Sequence, residues 1–379
     1  MRTFGIEEEF QFLVPDTLAP ADVGEEVFRR LSASLEWHDV THREFMASQV
    51  EHASAVFESL DVARSALLGF RRTIAAHAAE LGVLAGSVGT SPQAPPFPSI
   101  TELERYRRIV LDMAGGIADH QLNGLHVHIG VADRESGVIA LNAARPWIPL
   151  LKAMTANSPL WRGQDTGYDS WRTVLLRRWT TAGAPPAFVD ADDYQHRVSR
   201  LIGIGGTSDR ALVAWDLRLS EHLPTIEFRI GDAQLDAETS LAVAALCRAL
   251  VTHALERPSA ARVAALESAD APTELLSSAV LHSARYGMRQ RVLDPLTRRM
   301  APSADVLAGC VRLLADELED TGDLEVVTEV ARRLVLSGTG AEHQRAAFEE
   351  AGIAGVRRLL ESGFVADQGS SSEPLTSIL

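Results

Sequence analysis

Four short segments of the chain alternate apolar and polar residues with the period of two that is typical of a β-strand packed on one side. They cover residues 5–12, 48–51, 125–131 and 225–230. In each segment the apolar side chains share one face, and the opposite face carries carboxylate, amide or imidazole groups with one arginine. The pattern predicts strands of one sheet that packs on helices through its apolar face and keeps its other face polar.

Helical periodicity is strongest over residues 55–81, where apolar side chains recur every three or four positions. A short buried strand is predicted next, over 83–88. Residues 99–102 read Ser-Ile-Thr-Glu, which is the pattern of a capping box and predicts a helix that runs to about residue 122. A further long helix is predicted over 138–157, with a bend at its two prolines.

The order of the later elements indicates the fold class. A polar, aromatic loop is predicted over 158–172, and strands over 212–219 and 225–231 form a predicted hairpin. Almost everything from residue 236 onward has helical periodicity. Strands that precede helices favour an α+β fold, in which an antiparallel or mixed sheet has one face covered by helices and a concave polar face.

The length of 379 residues allows one to three domains. We expect a single domain over residues 1–365, strand-rich over 1–235 and helical over 236–365. The remaining residues, 366–379, contain the polar run Gln-Gly-Ser-Ser-Ser-Glu-Pro and predict a disordered tail.

The polar strand faces place Glu7, Glu9, Glu51 and Glu227 on one surface. A solvated strand face normally favours Thr, Lys or Arg instead. Two like charges 4 Å apart repel by about 4 kcal/mol at an effective dielectric constant of about 20, so this cluster needs cations. Hard divalent ions take carboxylate and water ligands, and the imidazole of His126 can join them. The pattern therefore predicts a site for Mg²⁺ or Mn²⁺ more than for zinc.

Composition limits how the chain can hold phosphate. Lys152 is the only lysine, and 36 Lys+Arg against 51 Asp+Glu give a formal net charge of −15. The sequence has no Gly-Lys-Ser/Thr phosphate loop and no kinase-type or pyridoxal-type lysine motif. The acidic balance argues against nucleic-acid binding. Arg229 beside the glutamates therefore indicates a cradle for a metal–nucleotide complex in which arginine replaces lysine.

The sequence also bears on location and partners. Cys247 and Cys310 are not clustered, which favours a reducing compartment. The first residues lack the apolar core of a signal peptide, and the most apolar run, 241–250, is interrupted by Arg248. We expect a cytoplasmic protein that acts on small molecules, has no nucleic-acid or membrane partner, and works as a monomer or a homodimer.

At these residues the chain resembles the glutamate–cysteine ligase type 2 family, also called the carboxylate–amine ligase family. The matching motifs lie at residues 5–10, 124–130, 156–168 and 225–229, with a weaker match at 283–287. Their order and spacing agree over about residues 1–295, and Ser-Pro-Leu-Trp-Arg-Gly at 158–163 is the most specific.

The resemblance implies a glutamine synthetase-like or glutamate–cysteine ligase-like sheet whose concave face holds ATP and Mg²⁺. It implies that a carboxylate, such as that of glutamate, attacks the γ-phosphorus, and that an amine then displaces phosphate from the acyl phosphate. Weak glutamate–cysteine ligation is the activity it suggests. The metal ligands it implies are Glu7, Glu9, Glu51, His126 and Glu227.

The resemblance also implies the other site residues. Arg229 and Glu227 would be catalytic, and Arg229 and His128 would contact the nucleotide. The residues implied on the substrate side are Arg162, Tyr168 and Arg172. The chain departs from the family pattern at 52–54, which reads His-Ala-Ser, and at Ser91, where a histidine is common. Both departures concern the amino-acid pocket and hence the identity of the substrate.

Two other functions fit parts of the pattern. The His126-x-His128 pair with later carboxylates also occurs in metal-dependent hydrolases, although no eightfold strand–helix alternation follows it here. Bound zinc without affinity for nucleotide would favour that alternative. A nucleotide-binding or metal-binding protein without turnover is the second alternative, and it would bind ATP without forming a product.

Overall fold

The computed structural model describes residues 2–257 and 271–366. The predicted disordered tail lies outside the described residues, apart from Ala366. The strands are β1 Phe4–Leu13, β2 Thr41–Arg43, β3 Gln49–Ala53, β4 Leu84–Gly86, β5 Gly124–Gly130, β6 Leu160–Trp161, β7 Gln164–Asp165, β8 Leu217–Leu219, β9 Thr225–Asp232, β10 Arg291–Asp294 and β11 Arg299–Pro302. The helices within residues 2–257 are α1 Gly24–Ser32, α2 Leu60–Glu80, α3 Glu104–Met113, α4 Arg134–Ala144, α5 Ile148–Met154, α6 Trp171–Leu176, α7 Ala191–Gly203 and α8 Ala237–Glu256. Those within residues 271–366 are α9 Thr273–Tyr286, α10 Ser303–Leu313, α11 Ala315–Thr321, α12 Leu324–Ser337 and α13 Gly340–Gly363.

The main sheet has the strand order β2-β3-β1-β5-β9-β8, and β4 pairs with the free end of β1. Every pairing in it is antiparallel. The apolar strand faces pack with α4, α5 and α8 in a core that draws residues from Phe4 to Leu334. The predicted α+β class with helices on one face of an antiparallel sheet is confirmed.

Helix α8 forms the centre of this core. It is long and apolar enough to span a membrane, but 83% of its most apolar window is buried inside the fold. Burial on all sides explains why this helix is apolar all round, as expected for the core of a large domain.

Several predicted boundaries were wrong for local reasons. Helix α2 begins at Leu60 rather than 55, because Ser59 caps it and accepts the Val62 N–H. The capping box predicted at 99–102 does not form, because Ile100 makes a β-bridge to Met46. The helix there is limited to α3 and a following 3-10 turn.

Other boundaries differ in the same way. The helix predicted over 138–157 is α4 and α5, separated by a 3-10 turn at Arg145–Trp147 that contains the first proline. The loop predicted over 158–172 contains the β6–β7 hairpin, and β10–β11 interrupts the helical part of the chain. The strand predicted over 212–219 is only β8.

The sole lysine has a structural role beneath strand β9. The register between β5 and β9 shifts between Leu125 and Val127, so β9 bulges there. Lys152 is buried on α5, and its ammonium group donates a hydrogen bond to the backbone oxygen of Ile230 in this bulge. Burial lowers the pKa of the Lys152 amine to about 8. Lys152 on α5 therefore supplies a hydrogen-bond donor to the backbone of β9 at the bulge.

A buried ion pair lies on the apolar side of β1. β1 is a central strand of the sheet, and Glu8 on it is fully buried. Its carboxylate accepts hydrogen bonds from Arg71 Nη2 at 2.6 Å, Arg71 Nε at 3.1 Å and Ser240 Oγ at 2.7 Å. Arg71 also donates to the backbone oxygens of residues 234, 235 and 364. The pair thus joins β1 to α2, α8 and the end of α13.

We expect His52 to make the folded state less stable at acidic pH. The ring stacks on Phe70 at 4.1 Å, and burial, with Arg71 and His42 nearby, lowers the pKa of His52 to about 3. In the unfolded chain the His52 ring binds a proton near pH 6.5, whereas in the folded chain it stays neutral at that pH. The free energy of unfolding therefore decreases as the pH falls below 6.5. Between pH 6.5 and 5, we expect the free energy of unfolding to fall by about 2 kcal/mol less in His52→Phe than in the wild type, as measured by urea unfolding. His38→Gln, at an exposed histidine, is the control, and an unchanged pH slope in His52→Phe would contradict the assignment.

Candidate active site

Antiparallel pairing aligns the polar strand positions in rows on the concave face. The rows are Glu51 opposite Glu9, Glu7 opposite His126, and His128 opposite Glu227, which in turn lies opposite Arg218. The five predicted metal ligands therefore lie on one surface, as the alternation predicted. Pairing alone brings them together, because each strand contributes one or two of them.

The first group on this surface is built around Glu7. Its carboxylate lies 3.0 Å from His126 Nδ1 and 3.0 Å from His128 Nε2. Ligand atoms of Glu7, His126 and Glu227 all lie within 4.8 Å of one another. His126 Nε2 is buried and makes no hydrogen bond. Since Glu7 occupies Nδ1, the free Nε2 of a neutral imidazole is oriented as in metal sites in which a carboxylate orders the histidine.

The protonation states of this group suit a cation. Burial raises the pKa of Glu7, but hydrogen bonds from His126 and His128 outweigh burial and hold this pKa well below its usual value. For Glu227, the charges of Arg229 and Arg218 outweigh burial and lower the pKa. Burial lowers the pKa of His126, so the ring is neutral. Two ionised carboxylates and a neutral imidazole form a donor set that can bind a divalent ion.

The second group consists of Glu9, Glu51 and Glu44. Burial and the charges of Glu7, Glu44 and Glu9 raise the pKa of Glu51 well above its usual value. Burial and Glu44 likewise raise the pKa of Glu9, whose carboxylate accepts the Gly124 N–H at 2.5 Å. Both pKa values are raised because the groups are buried and neighbouring carboxylates repel one another, and a second cation bound here would reduce this repulsion.

Two arginines flank Glu227. Arg218 binds its carboxylate with two hydrogen bonds, Nε at 2.7 Å and Nη2 at 3.2 Å. Arg229 Nη1 also donates to Glu227, and the Arg229 side chain keeps 27% exposure against 13% for Arg218. Arg229 is therefore the guanidinium that is more available to a ligand.

A cavity of about 370 Å³ borders this surface, and Glu227 and His128 lie just outside its wall. The charged residues in its wall are Glu7, Glu9, Glu44, Glu51, Arg43, Arg105, Arg172, Arg218 and Arg229. Phe45, Tyr106 and Trp179 add aromatic surface. A cavity of this size, with acidic groups on one side and guanidinium groups around them, suits a small anionic ligand together with cations.

Arg172 enters this cavity from the first turn of α6. The side chain is 5% exposed, and its Nε and Nη1 make no hydrogen bond with the residues that the structure describes. A Cβ atom on Gly124 would lie 2.5 Å from Arg172 Nη2, so the glycine leaves room for the guanidinium. Buried guanidinium N–H groups without acceptors form a site for a carboxylate or phosphate.

The other two residues predicted on the substrate side lie elsewhere. Arg162 sits at φ 52° in the turn of the β6–β7 hairpin, where its side chain is 48% exposed and pairs with Asp119. Tyr168 packs edge-on against Trp171 at 5.6 Å. Neither belongs to the cavity wall.

Some cavity residues were missed by the sequence analysis. Arg218 belongs to the alternating run Leu217-Arg218-Leu219, and this pattern could have identified it. Glu44 follows β2 in an irregular segment, where no periodicity indicates which way a side chain points.

Comparison with known proteins identifies the family. A sequence profile of glutamate–cysteine ligase family 2 matches residues 3–362. The chain belongs to glutamate–cysteine ligase family 2. It is therefore a carbon–nitrogen ligase of the carboxylate–amine type.

Two relatives show how much of the family's length the chain shares. A protein of Saccharopolyspora erythraea, named as a glutamate–cysteine ligase 2-1, is 38% identical over 349 residues, which cover 91% of this chain and 90% of the relative. One of Rhodopirellula baltica, named as a glutamate–cysteine ligase 2, is 35% identical and covers 90% of this chain and 92% of the relative.

Solved structures share the fold of this family member. Glutamate–cysteine ligase of Francisella tularensis, solved in complex with AMP, superposes with a TM-score of 0.67 at 11% identity, covering 97% of this chain and 89% of that one. A bifunctional glutathione synthetase of Pasteurella multocida gives 0.62 at 15% identity, covering 95% of this chain and 52% of that one. The predicted glutamate–cysteine ligase-like fold is confirmed.

Proposed function

We propose that this family member is an ATP-dependent and Mg²⁺-dependent or Mn²⁺-dependent ligase that joins a carboxylate to an amine through an acyl phosphate. Glutamate or a similar amino acid supplies the carboxylate, and the ligation of glutamate to cysteine is a weak activity of the enzyme. The enzyme acts in the cytoplasm. The observation that carries the proposal is the carboxylate and imidazole set flanked by guanidinium groups in one cavity. The family name of the relatives and the AMP bound to the Francisella tularensis structure support it.

The metal ligands divide into two groups in this proposal. Glu7, His126 and Glu227 would hold one ion, as their mutual distances and the free His126 Nε2 allow. Glu9 and Glu51, with Glu44 beside them, would hold a second one. Bound Mg²⁺ or Mn²⁺ would neutralise the phosphate oxygens as charge shifts during phosphoryl transfer.

The arginines would act on the substrates. Arg229 grips the transferred phosphate, because its guanidinium borders the cavity and is the more exposed of the two beside Glu227. Glu227 orients Arg229 by the hydrogen bond between them. His128, held by Thr225 Oγ1 at 2.9 Å and lying 3.0 Å from Glu7, would contact the nucleotide. Arg172 takes a carboxylate of the amino acid, since this buried arginine belongs to the wall of the same cavity.

The test of this function is ATP turnover that depends on a carboxylate. We expect ADP release with Mg²⁺ or Mn²⁺ only when a suitable amino acid is present, and a hydroxamate when hydroxylamine replaces the amine. Mass spectrometry over pairs of amino acids then identifies the product. Glu227→Gln should abolish ADP release, whereas Glu319→Gln, an exposed change on α11, should not.

Two outcomes would refute the ligase proposal. One is ADP release that no carboxylate stimulates, and the other is the absence of a hydroxamate across the whole panel. Membership in the ligase family already removes the support for a metal-dependent hydrolase.

A further inference from the structure

Asp232, the last residue of β9, is a fully buried carboxylate outside the cavity wall. It accepts hydrogen bonds from Asn157 N at 2.9 Å, Ser158 Oγ at 2.7 Å and Ser170 Oγ at 2.8 Å. The two serines stand at the beginning and end of the loop that contains the β6–β7 hairpin. One carboxylate therefore ties both ends of this loop to β9.

The same network holds Arg172. Ser158 Oγ, which donates to Asp232, also accepts the backbone N–H of Arg172 at 3.0 Å. Ser170 Oγ contacts Thr173 Oγ1 at 2.8 Å in the same turn of α6. Arg172 Nη1 itself lies 4.0 Å from Asp232 Oδ1. The backbone of the arginine is thus fixed through the serines, and its guanidinium lies between Asp232 and the cavity.

We propose that Asp232 is a positioning residue for substrate recognition. By holding Ser158 and Ser170 it aims the Arg172 guanidinium into the cavity, where this group binds a carboxylate of the amino-acid substrate. The inference rests on the proposed function, because it assumes that Arg172 contacts the substrate. A fixed guanidinium loses less freedom on binding than a mobile one, so the network contributes to affinity.

The hydrogen-bond pattern distinguishes positioning from a general structural role. In Asp232→Asn the amide oxygen can still accept from Asn157 and Ser158. The amide N–H can donate to Ser170 Oγ, whose own proton then turns to Thr173. Asp232→Ala loses all three bonds. The asparagine variant should therefore keep Arg172 in place, and the alanine variant should not.

The experiment uses the full chain. Calorimetry measures the Kd for glutamate, and ADP release measures kcat and the KM values for glutamate and for ATP. For Asp232→Ala we expect Kd and KM for glutamate to rise about tenfold or more, while KM for ATP and kcat change less than about twofold. For Asp232→Asn we expect Kd and KM within about threefold of the wild type. Thr155→Val is the matched control, because that buried hydroxyl donates to Leu151 O at 2.7 Å and does not touch the network.

Each outcome separates this inference from the proposed function. If Arg172→Gln leaves glutamate affinity unchanged, the substrate contact proposed for Arg172 is wrong. If Arg172→Gln weakens binding and Asp232→Ala does not, the positioning role alone is wrong. A fall in kcat with unchanged KM in Asp232→Ala also overturns it. Should Asp232→Ala fail to fold, the Ser158→Ala and Ser170→Ala double variant carries the same expectation with Asp232 intact.

Discussion

Arg229→Gln should lower kcat by about 10³-fold while the protein still binds its metal ions. The guanidinium of Arg229 is the group proposed to stabilise the transferred phosphate, and such arginines contribute about 10³-fold or more. Glu227 would keep both hydrogen bonds from Arg218, so the metal ligands would stay in place. Single-turnover ADP release measures the rate, and Mn²⁺ titration followed by electron paramagnetic resonance measures metal affinity.

The controls for this prediction use the same chemistry at other positions. Arg229→Lys keeps the charge but loses the planar fork, so an intermediate loss of about 10-fold to 100-fold is expected. Arg200→Gln, at an exposed position on α7, should leave the rate unchanged. A kcat for Arg229→Gln within tenfold of the wild type would show that the phosphate is gripped elsewhere.

Arg71→Met should lower the free energy of unfolding by about 3–5 kcal/mol, which is the typical result of leaving one buried charge without its partner. Glu8 would then be a fully buried carboxylate with only Ser240 as a donor, and three backbone oxygens would lose the guanidinium. Urea unfolding followed by tryptophan fluorescence measures the difference.

Adding Glu8→Gln to Arg71→Met should recover part of the lost stability, because the double variant no longer buries an unpaired charge. The recovery should be incomplete, since the backbone oxygens stay without their donor. Arg29→Met is the control, because that arginine and Glu26 form an exposed pair on α1. A loss of stability no larger than that of Arg29→Met would contradict the assigned role of the buried pair.

The concave face could be predicted because strand alternation has a strict period. Once Glu7, Glu9, Glu51, His126 and Glu227 were placed opposite the apolar positions, any antiparallel pairing in register had to bring them to one surface. The sequence therefore contained both the sheet and most of the acidic groups in the cavity.

The residues outside regular strands could not be placed in this way. Arg162 and Tyr168 lie in a matching motif, yet Arg162 pairs with Asp119, Tyr168 packs on Trp171, and neither lines the cavity. Such directions depend on tertiary contacts that leave no periodic signal. The same holds for Glu44, which joins Glu51 only because the chain reverses between β2 and β3.

The buried position of Lys152 gives the chain an unusual chemical property. It is the only lysine, and its side chain is 1% exposed, so the folded protein presents no accessible lysine amine to an acylating reagent. Reaction at Lys152 requires the sheet to separate from α5, because the ammonium group lies beneath β9. The extent of acylation at this single residue therefore reports the opening of the core around β9, with no engineered label.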